Sequence, residues 1–277
     1  MVTFQRYQKT HPFPDLIHGI WRLITNQSEM SLHLIPDGYP ELFFPINGSF
    51  TLSLGDQVFQ IKEPTVIGLF NKSCNLHITS DSSMISIKLM PWALPSFIRD
   101  DAKLMLNEVV KLDCFYKKEE VPLPIDLSTE LKFNDYVEQQ LFSFINKIID
   151  PKKSSTPFLS FHVKNMFEEV HNLTQAKQEN NLRYSKRYVE KLYQQYVGMS
   201  PLKYAQSIKI KKACLLLSNR KTESLHALSM DLGYYDQSHF YKDFLKIVKL
   251  SPTKFIQSLP QRPLLNNQNY KKQYDYY

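Results

Sequence analysis

The chain has 277 residues, 43% of them hydrophobic and 22% charged, with a formal net charge of +7, long enough for two domains of ordinary size. No apolar run approaches the roughly 18 residues that span a bilayer, and residues 1–10 lack the apolar stretch of a secretory signal, so a cytoplasmic protein without a membrane partner is expected. The charge is unevenly shared: residues 1–150 carry 13 Lys/Arg against 18 Asp/Glu, whereas residues 160–260 carry 16 against 8, which favours a polyanionic partner for the C-terminal part alone.

In chain order, the first ninety residues read as β. Short apolar runs at 32–35, 41–46, 50–54, 58–61, 65–70, 76–79 and 84–89 are separated by Pro-Asp-Gly, Asn-Gly, Gly-Asp and Ser-rich breaks, the signature of a sandwich or small barrel. From Leu94 the spacing becomes helical, first over 97–106 and then over 135–149, where Val137, Leu141, Phe144, Ile145 and Ile148 form a stripe that suggests a dimerisation surface. Residues 151–157 are polar and bounded by proline, as in a linker. Beyond Pro157 nearly everything is helical, and residues 264–277, rich in Asn, Gln, Lys and Tyr, are expected to be disordered. Cys74, Cys114 and Cys214 stand singly, so three buried thiols are expected rather than disulfides or a metal site.

A weak internal repeat of period 51 runs through the helical part. Val189 matches Phe240, Lys191 matches Lys242, and Tyr193 matches Phe244. Ser200-Pro201 matches Ser251-Pro252, and Tyr204 matches Phe255. A shared period of this kind marks a duplicated supersecondary unit. In the second copy Ser224 caps a helix with Leu225, Leu228 and Leu232 on one face, Gly233 ends it, and Gln237 opens another helix running to about Val248. Helix, short turn with glycine, helix is the helix-turn-helix motif. With Phe240, Phe244 and Ile247 buried, Gln237, Ser238, His239, Tyr241 and Lys242 are left to face outward, where such motifs meet base edges in the major groove.

The first copy runs from Leu173 through Ala176 to a second helix capped by Ser185, with Asn180 and Asn181 in place of the turn glycine. Lys186, Arg187, Tyr188, Glu190, Lys191, Gln194 and Gln195 are its exposed positions. Between the copies, Ser200 caps a helix that has Pro201 in its first turn and extends to about Asn219. About twelve to fifteen helical residues make a rod of roughly 20 Å, able to set two recognition helices into successive major grooves.

Leu232-Gly-Tyr-Tyr-Asp-Gln-Ser-His-Phe240 with Phe244 and Ser251-Pro252-x-x-Phe255, together with Ser185-x-Arg187, Tyr193, Gly198-x-Ser200-Pro201 and Tyr204, resembles the AraC/XylS family of bacterial transcription regulators over about residues 158–260. The resemblance implies a sequence-specific DNA-binding transcription regulator. It implies base contacts from Arg187, Glu190 and Lys191 in one unit and from Gln237, Ser238, His239, Tyr241 and Lys242 in the other, with Lys186 and Lys203 suited to phosphates. Two positions depart from the family: Lys249 replaces the glycine before the second Ser-Pro, and Lys209 replaces a linker-helix Arg, losing the guanidinium fork. Trp21, Ile35-Pro-Asp-Gly38, Glu41-Leu-Phe-Phe44 and Val66-Ile-Gly68 resemble the cupin-like sensing domains of some of these regulators.

The expected fold is α+β in two domains: a β-rich, cupin-like barrel or sandwich with following helices over 1–150, a linker over 151–159, an all-α double helix-turn-helix with its linker helix over 160–260, and a tail over 261–277. Expected partners are double-stranded promoter DNA and a second copy of the chain, with RNA polymerase and an unidentified small-molecule effector as further candidates. An enzyme is the first rival, but His33 and His77 are isolated, no His-x-His occurs, and no phosphate loop or nucleophile elbow is present, so no cofactor, metal or catalytic residue is assigned. The second rival, a protein-interaction module that no longer binds DNA, does not need the Lys, Arg and Gln retained on both recognition faces.

Overall fold

The computed structural model describes residues 2–7, 11–26, 29–116, 135–172, 184–219 and 224–259. Among these residues ten strands build two antiparallel sheets. One has the order β1 (Val2–Arg6), β2 (Ile17–Thr25), β9 (Ser83–Leu89), β4 (Glu41–Asn47), β7 (Thr65–Ile67) and β10 (Val109–Lys111). The other has the order β3 (Met30–Leu34), β8 (Cys74–Ile78), β5 (Phe50–Leu54) and β6 (Gln57–Ile61). The seven apolar runs read from the sequence correspond to β3 through β9. Strands β1, β2 and β10 were not anticipated. In β2 nearly every residue is buried, because its sheet is covered on both faces, and the polar alternation that marks a half-exposed strand is lost.

The period of two sorts side chains between two cores. Phe43, Leu23 and Met84 point between the sheets, where they meet Phe50, Leu52 and Leu76. Leu42, Phe44, Ile85 and Ile87 point the other way, onto α1 (Leu94–Ile98) and α2 (Asp135–Ile148). Leu141, Phe144, Ile145 and Ile148 of α2 are buried in this second core. The stripe that suggested dimerisation is therefore covered by the chain's own sheet, and that assignment of the helix is withdrawn. Residues 97–106 are not one helix but the end of α1 and a short 3-10 turn, Ala102–Met105.

The stretch read as a linker holds a 3-10 turn, Pro151–Lys153, capped by the Asp150 carboxylate, and runs directly into α3 (Pro157–Asn172). Then come α4 (Lys186–Tyr196), α5 (Pro201–Ser218), α6 (Leu225–Asp231), α7 (Gln237–Val248) and α8 (Pro252–Ser258). Serine caps α4, α5, α6 and α8 through Ser185, Ser200, Ser224 and Ser251, and Asp236 caps α7. Each accepts a bond from a first-turn N–H that has no partner inside its helix. A third core joins Tyr39, Leu69 and Trp92 of the β part to Leu159, Val163, Val189, Leu192, Tyr193, Tyr204 and Ile208. A fourth lies wholly among α5–α8, with Ile35 at its margin. The first helix of the first repeat and the C-terminal tail lie outside the described residues. Cys74 and Cys214 are buried, but Cys114 is exposed, correcting the expectation of three buried thiols.

Candidate nucleic-acid interface and barrel cavity

The second repeat folds as α6, turn, α7. Leu228 and Leu232 are buried and Leu225 packs beside them. Gly233 turns the chain at φ +72°, a conformation that costs a residue with a Cβ about 1–2 kcal/mol. The Asp236 carboxylate accepts from the His239 N–H at 2.7 Å, fixing where α7 begins. Phe240, Phe244, Ile247 and Val248 are buried on one side of α7. On the other side Gln237, Ser238, His239, Tyr241 and Lys242 are all exposed. Lys249, at the position where the family favours glycine, itself adopts the left-handed conformation at φ 62° and closes the helix through Leu245, so the turn keeps its shape at the expense of backbone strain.

In α4 the division is equally clean. Val189, Leu192 and Tyr193 are buried, and Lys186, Arg187, Tyr188, Glu190, Lys191 and Gln194 are exposed; Gln195 is half-buried. Lys203 is exposed in the first turn of α5. That helix has 18 residues, about 27 Å of rod at ~1.5 Å each. It is tied to α7 by Gln206, whose amide donates to the Asp243 carboxylate at 3.3 Å. It is tied to the α6–α7 turn by Lys209, whose ammonium lies 5.6 Å from the Tyr234 ring centroid. An ammonium can make this cation–π contact as a guanidinium would. Every residue assigned to DNA from the sequence is thus on an exposed helical surface, in two groups and on the first turn of α5.

Sequence reasoning missed how deeply α5 sits in the β part. Lys211 and Lys212 are buried. The Tyr204 hydroxyl donates to the Gly38 carbonyl at 3.1 Å, and Lys211 Nζ donates to the Asp37 carbonyl at 3.4 Å. Gly38 has φ +84°, and a Cβ there would lie 2.6 Å from Ile208 Cδ1, so the Pro-Asp-Gly turn lets α5 come close. Asp37 also pairs with Lys88, and Lys88 Nζ is 3.6 Å from Glu41 Oε1. Burial alone would raise the Asp37 carboxyl, but Lys88 and Lys211 hold it below its ordinary range. For Glu41 burial wins over Lys88 and the value rises. Burial lowers Lys211 to about 8, with Asp37 opposing. His18, stacked on Tyr39 at 4.3 Å between centroids, falls to about 3 through burial and then the nearby Lys88 and Lys211. The only hint of this cluster in the sequence was three charges, Asp37, Glu41 and Lys88, set in or beside apolar strands.

The β part also grips the end of α7. The Ser73 N–H donates to the Ile247 carbonyl at 2.6 Å, and the Val248 carbonyl accepts from the Ser73 hydroxyl at 2.8 Å and His33 Nε2 at 3.1 Å. His77, the other isolated histidine, meets Ser31 at 3.1 Å. Among the described residues no three His, Cys, Asp or Glu side chains gather as a metal site, and no helix is long and apolar enough to cross a membrane. Between the sheets lies a cavity of about 110 Å³, lined chiefly by apolar side chains, with Asp37, Glu41, Ser86 and Lys88 also in its lining.

Two capped helices with outward cationic and amide-bearing faces stand at either end of a rod, and the second of them forms a helix-turn-helix with α6 and the Gly233 turn. Residues 180–258 match the family model described as Helix-turn-helix domain, and residues 5–111 match Domain of unknown function (DUF6597). The C-terminal region therefore carries a helix-turn-helix domain, and the resemblance seen in the sequence is borne out there. An uncharacterized HTH-type transcriptional regulator of Haemophilus influenzae is 30% identical over 69 residues, which span 25% of this chain and 23% of that protein. Among solved structures, ToxT from Vibrio cholerae bound to (E)-4-(8-methylnaphthalen-1-yl)but-3-enoic acid is 14% identical, covering 92% of this chain and 99% of its own at a TM-score of 0.45. The AraC-like transcriptional activator CuxR is 14% identical over 97% of this chain and 86% of its own, with a TM-score of 0.27.

Proposed function

We propose that the chain is a sequence-specific DNA-binding transcription regulator, not an enzyme, that reads two successive major grooves and is modulated by its β-rich part. The observation that carries this is the pair of exposed faces on α4 and α7, each opposite a buried apolar stripe and each fixed by a side-chain cap. Arg187, Glu190 and Lys191 read one site, and Gln237, Ser238, His239, Tyr241 and Lys242 the other, with Lys186 and Lys203 on phosphates. Arginine and lysine suit guanine, glutamine suits adenine, and the Glu190 carboxylate suits a cytosine amino group. The functional division is residues 1–150 for sensing and oligomerisation, 151–159 as connector and 160–260 for DNA, with 261–277 as a tail. The reading places the protein in the cytoplasm, with promoter DNA, a small-molecule effector in the barrel cavity, RNA polymerase and a second copy of the chain as partners.

Fluorescence anisotropy on promoter fragments tests it. Affinity should fall steeply with added salt, as phosphate neutralisation requires. Lys242→Ala should relax base preference in one half of the site by about 1–3 kcal/mol, and Arg187→Ala should do the same about one helical turn away. Equal weakening on every sequence would reassign both residues to phosphates. Binding indifferent to salt and sequence would leave a protein-interaction module instead.

A further inference from the structure

We propose that the barrel cavity receives an uncharged, mainly apolar small molecule bearing one hydroxyl or primary amide group, held between Trp21 Nε1 and the Glu41 carboxylate. This rests on the reading of the chain as an effector-modulated regulator and specifies the chemistry of that effector.

Strand register sets the head-group end. Gly19, Lys88 and Glu41 lie in one row across β2, β9 and β4, and Trp21, Ser86 and Phe43 lie in the next row on the same face. Lys88 and Lys211 stand here against Asp37 and Glu41, and the Arg6 guanidinium lies 4.8 Å from the Trp21 ring centroid. An ionic ligand would add a further charge to a buried site, which is costly in a low dielectric unless it is closely paired.

Two polar groups at this end have capacity left. The Trp21 indole N–H has no hydrogen-bond partner although the residue is only 2% exposed. Its ring lies over Gly19, where a Cβ would sit 3.1 Å from Cζ2 and 3.7 Å from Nε1, which puts the indole beside the row that holds Lys88 and Glu41. Glu41 accepts from the Ser86 hydroxyl through Oε2 at 2.6 Å, while Oε1 is ion-paired with Lys88 Nζ at 3.6 Å. One site thus offers a bare donor and an ion-paired acceptor whose remaining lone pairs a ligand donor can use. A hydroxyl or primary amide satisfies both, accepting from the indole and donating to the carboxylate. A ligand carboxylate satisfies only the indole and sets a third anion beside Asp37 and Glu41. An ammonium satisfies only Glu41 and crowds Lys88. The apolar body would rest among Leu23, Leu32, Phe43, Leu52 and Met84. The cavity volume is of the same order as the roughly 150 Å³ apolar cavities that admit benzene.

The wall of this cavity is also the seat of α5. Asp37, Gly38 and Tyr39 line it, and the same three residues meet Lys211 and Tyr204 on their far side. A head group that draws on Glu41 changes what Lys88 and Asp37 share, and so changes the contact with α5.

Calorimetric titration of the full chain with benzyl alcohol, benzamide, benzoate, benzylamine and toluene tests the proposal. Benzyl alcohol and benzamide should bind at least about tenfold more tightly than the other three, the worth of a well-made hydrogen bond. Trp21→Phe should remove that advantage over toluene. Glu41→Gln leaves a net positive cluster and should shift preference toward benzoate. Toluene binding as well as benzyl alcohol, benzoate binding best in the unaltered chain, or no probe binding at millimolar concentration would each overturn the proposal. Promoter binding by the same unliganded preparation separates the cases: DNA binding without probe binding sinks only the effector chemistry, whereas absence of DNA binding sinks the regulator reading.

Discussion

The two helical units present similar outer faces but are rooted differently. In the first, Val189, Leu192 and Tyr193 of α4 share a core with Tyr39, Leu69 and Trp92 of the β part. In the second, α6, α7 and α8 pack on Ile210, Ala213, Cys214 and Leu217 of α5, with Ile35 of the β part at the margin, and polar bonds from the β part hold the end of α7. Burial stabilises in proportion to apolar area, while a polar bond exchanged with water contributes about 1 kcal/mol. The first unit should therefore move with the β part as one body, and the second, tied through α5 and those bonds, should part from it more readily.

The largest test of this difference is a pair of core truncations. Tyr193→Ala and Phe244→Ala should each cost about 3–5 kcal/mol. Hydrogen exchange should place the Phe244→Ala loss within α6–α8, whereas Tyr193→Ala should also deprotect the strands around Tyr39. Equal spread from both would abolish the distinction.

The next test is pH. Burial lowers the Lys211 ammonium from its ordinary 10.5 to about 8, so between these values the folded chain binds fewer protons than the unfolded one. Stability from this group must then rise as pH climbs from about 8 to 10.5, and its penalty is fully present below about 8. Lys211→Met should flatten that rise in thermal melts taken across the window. A smaller effect is expected from Ser73→Ala, which removes one bond to the Val248 carbonyl and should cost about 1 kcal/mol, read as faster exchange at the end of α7 with α4 unaffected. Smallest is Lys249→Gly, which relieves a left-handed non-glycine residue and should gain about 0.5–1 kcal/mol, part of the relief being lost to the freer unfolded chain; a raised melting temperature with unchanged promoter affinity checks it.

The helical half was legible in advance because its signals are local. Caps at Ser185, Ser200 and Ser224 and the stop at Gly233 act within one turn of helix, and the apolar spacing of α4 and α7 divides inside from outside without reference to the rest of the chain. The β half was legible where strands alternate and obscure where they do not: β2 is buried on both faces and lacks a polar rhythm. The α2 stripe was visible, but a stripe does not say what covers it, and the partner was the chain's own sheet. Least legible was the cluster of Asp37, Glu41, Lys88 and Lys211, which exists only once residues over a hundred positions apart are packed together. Cys114 was misjudged for a related reason, since a lone cysteine carries no local sign of its exposure.

The carbonyls of Ile247 and Val248 illustrate what such long-range completion entails. They belong to the last turn of α7, yet their partners Ser73 and His33 come from the strands and loops of the other half. A fragment cut down to α4–α8 would leave those oxygens to water, and the final turn of α7 would fray. Such a fragment would be a looser body than the intact chain, and its α7 would exchange amide hydrogens faster than the same helix does in the whole molecule.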